Sequence, residues 1–240
     1  LRRAYVKAPK KIESLVVEEM KNNPDYFLGY MHTISPFTKQ FKLDEWSNSG
    51  KSFFLKQFIE VDDLDWHLQD LLPQLCNKPE DVISLFIRRI KLRNKKLQSY
   101  NYTDPKRRMY DAVPYHMNPE LVEYVKKGKL DDIVSTVVKN LPSKYGVESM
   151  ELAQLIRHFG ISSSDILKKL SQGKAVSDSI IRKVLISISS MDPNDIDFLV
   201  QLAGKTSNES IHRSIYSRVV ATGVVSGEFG IADAYKAKRS

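Results

Sequence analysis

A recurrence every 33 residues in the second half of the chain constrains its fold more than any other feature. Four stretches each consist of a helical run, a break and a second helical run; they are Val122 to Val138, Leu155 to Leu170, Ile188 to Leu202 and Ala221 to Ala237. An apolar position just inside the second run recurs as Ile133, Ile166, Leu199 and Ala232. Its counterpart in the first run recurs as Val122, Leu155, Ile188 and Ala221. The pattern indicates helical hairpins of equal length.

The breaks between the paired runs contain glycine or proline, the residues that end helices. They centre on Lys127-Gly128-Lys129, Phe159-Gly160-Ile161, Met191-Asp192-Pro193 and Ser226-Gly227-Glu228. One amphipathic hairpin cannot bury both of its apolar faces, whereas a stack of hairpins can. We therefore predict a mostly α protein whose residues 118–240 form an α-solenoid-like array of hairpin repeats. A plain helical bundle with hairpins of similar length is the alternative.

The last unit resembles a known repeat. Its residues follow the order Tyr, two aliphatics, then Gly-x-aromatic-x-x-Ala, and are Tyr216, Val219, Val220, Gly227, Phe229, Ala232 and Tyr235. This order is similar to the patterns of the pentatricopeptide and tetratricopeptide repeats. The unit of Gly128, Leu130 and Ile133 keeps the glycine and the aliphatic position. The resemblance implies a helical-repeat protein. In pentatricopeptide proteins one repeat reads one base of single-stranded RNA, usually in mitochondria or plastids.

Residues 1–117 are predicted to form a separate N-terminal region that is helical and partly irregular. Apolar spacing, acidic first turns and Pro or Gly breaks define its pieces. In chain order these are a helix over 10–22, an irregular stretch over 26–50, a short helix or strand over 51–59, a helix over 62–76, a helix over 82–100 and a loop with three prolines over 99–119.

The net charge of the chain lies in one segment, residues 88–108. The whole chain has 37 Lys and Arg against 29 Asp and Glu, a net charge of +8. The segment has nine bases against one acid, Asp104, and so carries the same net charge by itself. So concentrated a charge indicates an anionic partner. Nucleic acid is the leading candidate, and an acidic protein or an anionic membrane surface are the alternatives.

The cations of the predicted helix fall on two faces. Positions 88, 91 and 95 share one face, and positions 89, 93 and 96 share another. Beyond the helix, Tyr100, Tyr102, Tyr110 and Tyr115 alternate with the bases at 106–108. Cations that follow phosphates, next to aromatics that stack on bases, are the two components of single-strand binding. The competing interpretation is a solvated helix face whose tyrosines pack into the core.

The residues predicted to bind nucleic acid are therefore cations for the phosphates and tyrosines for the bases. They are Arg88, Arg89, Lys91, Arg93, Lys95, Lys96, Tyr100, Tyr102, Lys106, Arg107, Arg108 and Tyr110.

A helix-turn-helix is the rival interpretation of Leu152 to Leu170. Gly160 would be the turn glycine, and the DNA-facing residues would be Ser162, Ser163, Lys168 and Lys169. Bulky Ile156, four residues before the glycine, and the acidic Asp165 oppose this interpretation. Because the hairpin recurs every 33 residues, the repeat array explains more of the chain.

No set of residues indicates catalysis, a cofactor or a metal site. The single cysteine, Cys76, excludes an internal disulfide and a Cys-based zinc site within the chain. Gly50-Lys51-Ser52 ends like a phosphate loop, but Glu45 stands where the first glycine should be. The acids between Glu60 and Asp70 are more typical of a helix N-terminus than of a metal site. We therefore predict a non-enzymatic protein.

The leading functional prediction is RNA binding, with single-stranded or ribosomal RNA as the partner, together with other proteins of a ribonucleoprotein complex and without membrane insertion. The protein would be an organellar RNA-processing or translation factor, or a subunit of a large ribonucleoprotein such as a mitochondrial ribosome. A repeat scaffold for protein–protein interaction and a helix-turn-helix DNA binder are the alternatives. The start at Leu1-Arg2-Arg3, with no secretory apolar region after it, fits a removed transit peptide or simple trimming. It indicates an organelle matrix, or else cytoplasm or nucleus, rather than secretion.

Overall fold

The computed structural model describes residues 9–24, 29, 42–99, 103, 111–188, 195–226, 230, 233, 235 and 236. Within these ranges every regular element is a helix and there is no strand, so the prediction of a mostly α protein is confirmed. None of these helices is long and apolar enough to cross a bilayer. The chain divides into two compact units, residues 1–133 (unit 1) and 134–240 (unit 2).

The helices of unit 1 follow the sequence prediction in most places. They are α1 (Pro9–Asn22), α2 (Asn48–Glu60), α3 (Trp66–Gln69), α4 (Leu72–Leu75), α5 (Pro79–Ser99) and α6 (Pro119–Lys126), with a 3-10 turn at Leu43–Glu45. The stretch predicted as a short helix or a strand is the helix α2. It begins after Ser47, whose hydroxyl accepts a hydrogen bond from Gly50 N at 3.0 Å. Gly50-Lys51-Ser52 thus lies inside a helix.

The single helix predicted over 62–76 is wrong, because the chain forms two short helices there. Asp65 caps the first, accepting a hydrogen bond from Leu68 N at 2.9 Å, so that α3 begins at Trp66. Pro73 stands in the first turn of α4 and has no N–H to continue the preceding helix. The capping role of Asp65 explains one of the acids in this region, and no cluster of metal-binding side chains occurs among the described residues.

The core of unit 1 lies between α2, α4, α5 and α6, with α5 packed against the other three. Its largest apolar side chains are fully buried; they are Phe54, Phe58, Leu64, Leu68, Leu71, Leu72, Leu75, Val82, Ile83 and Phe86. The sequence boundary predicted at 117/118 differs from the division at 133/134. Helix α6 packs on α4 and α5, with Leu121 and Val125 buried and Tyr124 Oη donating to Cys76 O at 3.3 Å.

Gly128, after α6, allows the chain to approach the start of α5. A Cβ at this position would lie 2.7 Å from Pro79 Cβ and 3.0 Å from Ile133 Cδ1. We expect Gly128→Ala to lower the free energy of unfolding by about 1–3 kcal/mol, because it overpacks the contact. Urea denaturation measures this loss. The matched control is Gly204→Ala, where an added Cβ has no contact closer than 3.5 Å. Equal stability of the two variants would contradict the prediction.

Helix α7 (Leu130–Lys139) contains the division between the units, and the described residues of unit 2 form five further helices. They are α8 (Val147–His158), α9 (Ser163–Ser171), α10 (Asp178–Ser187), α11 (Ile196–Ala203) and α12 (Glu209–Ser226). The breaks at Gly128 and Gly160 fall between helices, as predicted. The recurring second-run position is buried at Ile133, Ile166 and Leu199, while Ala232 lies outside the described residues.

The direction of the helices in unit 2 differs from that of a regular stack, in which the first helices of all hairpins run parallel. Helices α10 and α12 do run parallel. Asp178, at the start of α10, accepts hydrogen bonds from Thr206 and Asn208 just before α12, and Ile188 O accepts one from Arg218 further along α12. Tyr145, just before α8, instead donates to Leu185 O at 2.7 Å, so the start of α8 lies near the end of α10 and not near its start. The solenoid arrangement is therefore not confirmed.

Candidate nucleic-acid interface

Helix α5 carries the first six predicted cations, and burial divides it along its length. From Val82 to Ile90 its apolar residues are buried against α2, α4 and α6. From Lys91 to Ser99 no residue of the helix is buried. The second half therefore extends along the surface of unit 1. This arrangement follows from the sequence, because Leu92 and Leu97 are the only apolar side chains in that half.

Three cations form an exposed row, which we call the basic face: Arg88, Lys91 and Lys95. Their spacing of three and four residues places them on one side of the helix. With a rise of about 1.5 Å per residue, the row is about 10 Å long. None of the described ion pairs involves Arg88 or Lys95. All three side chains are exposed, so the basic face is accessible from solvent.

The other three cations of the helix, Arg89, Arg93 and Lys96, form the anchored face, which contacts the protein itself. Arg93 Nη2 lies 3.3 Å from Asp111 Oδ1, and Lys96 Nζ lies 3.5 Å from Asp62 Oδ1. The Arg93 side chain is only 14% exposed. Two carboxylates near this helix, Asp62 and Asp111, are thus paired with cations of the anchored face.

Arg89 is fully buried, with 0% of its surface exposed. Its Nε donates to Ala112 O at 3.0 Å, and its Nη2 donates to Asp111 O at 3.3 Å. Its Nη1 donates to two carbonyls at the end of α2, Phe58 O and Val61 O, the second at 2.8 Å. The structure corrects this member of the predicted set: Arg89 binds the protein's own carbonyls and cannot reach a ligand at the surface.

The physical reason for this burial lies in the end of α2. The last carbonyls of a helix have no partner within the helix, and they carry partial negative charge. A guanidinium can satisfy several of them at once, because its five N–H groups point outward in one plane. Arg89 therefore connects α2, α5 and residues 111–112 through one side chain.

The remaining predicted site residues lie outside the described part of the chain, and their role stays a prediction. They are Tyr100, Tyr102, Lys106, Arg107, Arg108 and Tyr110.

Residues 111–118 form a second feature of unit 1. Tyr115 is one of the tyrosines that alternate with the bases in the sequence, but the list of predicted site residues did not include it. Ala112, Val113 and Met117 are buried, whereas Tyr115 is 80% exposed. Its ring makes an edge-to-face contact with His116, with centroids 4.7 Å apart. A tyrosine between two buried positions is visible in the sequence, but its outward direction depends on tertiary contacts.

The residues of the helix-turn-helix alternative have local structural roles. Ser162 caps α9: its hydroxyl accepts from Asp165 N at 3.1 Å and donates to Asp165 Oδ2 at 2.6 Å. Gly160 has φ of +66°, the left-handed conformation that favours glycine after a helix. Lys168 is exposed and Lys169 is half-buried near the end of α9, which packs on α10. DNA binding by this hairpin stays a prediction.

Cys76 has the environment of a core residue. It is buried, and burial raises the pKa of its thiol to about 12. A thiol with so high a pKa is protonated at neutral pH and is a poor nucleophile.

Comparison with known proteins gives no assignment of family. A scan against family models, a search of the curated proteins and a search of the solved structures each found no match.

Proposed function

We propose that this protein is a non-enzymatic RNA-binding protein that holds the phosphates of single-stranded RNA on the basic face of α5. One observation carries the proposal. Arg88, Lys91 and Lys95 point to solvent in one row, while the neighbouring carboxylates Asp62 and Asp111 lie on the anchored face. An exposed cluster of cations on one side of a helix is sufficient for sequence-independent phosphate binding.

The repulsion between the cations of the basic face supports a role in binding an anion. Like charges three or four residues apart on a helix repel each other and cost a few tenths of a kcal/mol per pair, roughly 0.2–0.5. Arg88, Lys91 and Lys95 contain two such pairs. A bound polyanion removes this repulsion and gains favourable charge interactions. A helix face that contacts only water would keep this repulsion without a compensating interaction.

RNA is favoured over the other anionic partners by the residues that flank the cations. Tyrosines alternate with the bases at 106–108 in the sequence, and aromatic rings bind unpaired bases by stacking. The hairpin recurrence of residues 118–240 supports the same class, because it resembles the pentatricopeptide repeat. The α-solenoid-like array, the organellar location and membership of a ribonucleoprotein such as a mitochondrial ribosome belong to this proposal.

Salt dependence tests the proposal. For single strands, log K falls by about 0.7 per tenfold rise in salt for each phosphate contact. Three contacts on the basic face predict a slope of about −2 or steeper, and so a loss of about 20-fold in affinity between 50 and 200 mM salt. Fluorescence anisotropy with a labelled 12-nucleotide oligo(U) measures it. Absence of binding, or binding with a slope near zero, would contradict the proposal.

A further inference from the structure

We infer that Tyr115 is the base-stacking residue of the same interface, so that unpaired bases bind against its exposed ring while phosphates bind the basic face. This inference rests on the proposed function and specifies it further. It assigns to a described residue the stacking role that the sequence predicted for Tyr100, Tyr102 and Tyr110.

The segment that carries Tyr115 is held at both ends by buried polar side chains. At one end, Arg89 donates to the carbonyls of Asp111 and Ala112. At the other end, Gln69, which is 1% exposed, accepts from Asn118 N at 2.8 Å and donates to His116 O at 3.5 Å. The backbone around Tyr115 is thus fixed by contacts on either side.

The Tyr115 ring is available to a ligand although its neighbours are buried. It is the most exposed of the large apolar side chains in the described residues. His116 contacts it edge to face and can cover at most one face of the ring. Trp66, the first residue of α3, is 47% exposed, and α3 is joined to this segment through Gln69. A fixed backbone that presents a free aromatic face is what stacking on a base requires.

The segment that carries the ring and the helix that carries the basic face are joined through Arg89. Ala112 O is 3.0 Å from Arg89 Nε, and Arg89 is the residue next to Arg88 on α5. Tyr115 is three residues beyond Ala112, a distance of about 10 Å at most for a trans chain. This path along the chain is short, so one 12-nucleotide strand is long enough to contact both Tyr115 and the basic face. The ligand class is a single strand, because a paired base has no free face to stack.

Two substitutions distinguish stacking on a base from non-specific apolar contact with the Tyr115 side chain. Tyr115→Phe keeps the aromatic face, whereas Tyr115→Leu keeps an apolar side chain without it. Stacking predicts that Tyr115→Leu weakens binding of labelled oligo(U) by about 5- to 150-fold and that Tyr115→Phe stays within about threefold of wild type. The slope of log K against log salt should be the same in all three proteins, because no charge changes.

The outcomes distinguish this inference from the proposed function. If Tyr115→Leu binds oligo(U) as tightly as wild type while the steep salt slope persists, the stacking role is wrong and phosphate binding by α5 stands. If both variants weaken binding equally, the contact is through the hydroxyl and the stacking role is also wrong. If wild type does not bind oligo(U), both proposals are wrong. Urea unfolding followed by tryptophan fluorescence shows that each variant is folded when its unfolding midpoint agrees with that of wild type.

Discussion

Substitution of Arg89 by methionine is expected to lower the free energy of unfolding of unit 1 by about 3 kcal/mol or more, because several buried carbonyl acceptors lose their hydrogen bond. Methionine fills much of the space but donates no hydrogen bond, so four carbonyls lose their partner: those of Phe58, Val61, Asp111 and Ala112. Each buried acceptor left without a partner costs about 1–3 kcal/mol. Arg89→Lys should be intermediate, because an ammonium lacks the planar fork.

Urea unfolding followed by tryptophan fluorescence measures the effect in the relevant unit. Both tryptophans of the chain, Trp46 and Trp66, lie in unit 1. The matched control is Arg88→Met, the same change at the adjacent exposed position, which should stay within about 0.5 kcal/mol of wild type. Equal losses in Arg88→Met and Arg89→Met would contradict the account of Arg89. A loss so large that Arg89→Met shows no cooperative unfolding would agree with it.

Reversal of the basic face to Arg88→Glu, Lys91→Glu and Lys95→Glu is expected to weaken RNA binding by about 100-fold or more at about 0.1 M salt. This estimate follows from three lost phosphate contacts, each contributing about fivefold under these conditions. Repulsion between the new carboxylates and the phosphates adds to the loss. Because all three side chains are exposed, the unfolding midpoint should change little. Anisotropy titrations with oligo(U) measure the affinity.

Helical periodicity alone separated the cations of α5 into the two sets that the structure shows. It could not say which set faces outward, because the second half of the helix has too few apolar residues to define a buried side. Arginine is rarely fully buried, so Arg89 was predicted to be at the surface. Its position was nevertheless informative: with Val82 and Phe86 it continues one stripe of the helix, and both of those residues are buried.

Long-range contacts explain the other differences from the sequence prediction. The helix predicted over 62–76 is interrupted by a cap at Asp65 and by Pro73, and both signals are local and readable. The placement of α6 in unit 1 has no such local signal, because it depends on a contact between Tyr124 and Cys76, 48 residues apart. The outward direction of Tyr115 likewise depends on Arg89 and Gln69, which lie in other helices.

The central claim is that the position of the basic face, and not the net charge of the protein, determines RNA binding. The most direct test compares two triple variants that each lower the net charge from +8 to +2. One reverses Arg88, Lys91 and Lys95; the other reverses Lys183, Lys205 and Arg213, which are exposed cations of unit 2. The dissociation constant for oligo(U) at 100 mM salt is predicted to rise about 100-fold for the first and less than about fivefold for the second. Equal losses of affinity in the two variants would contradict the claim.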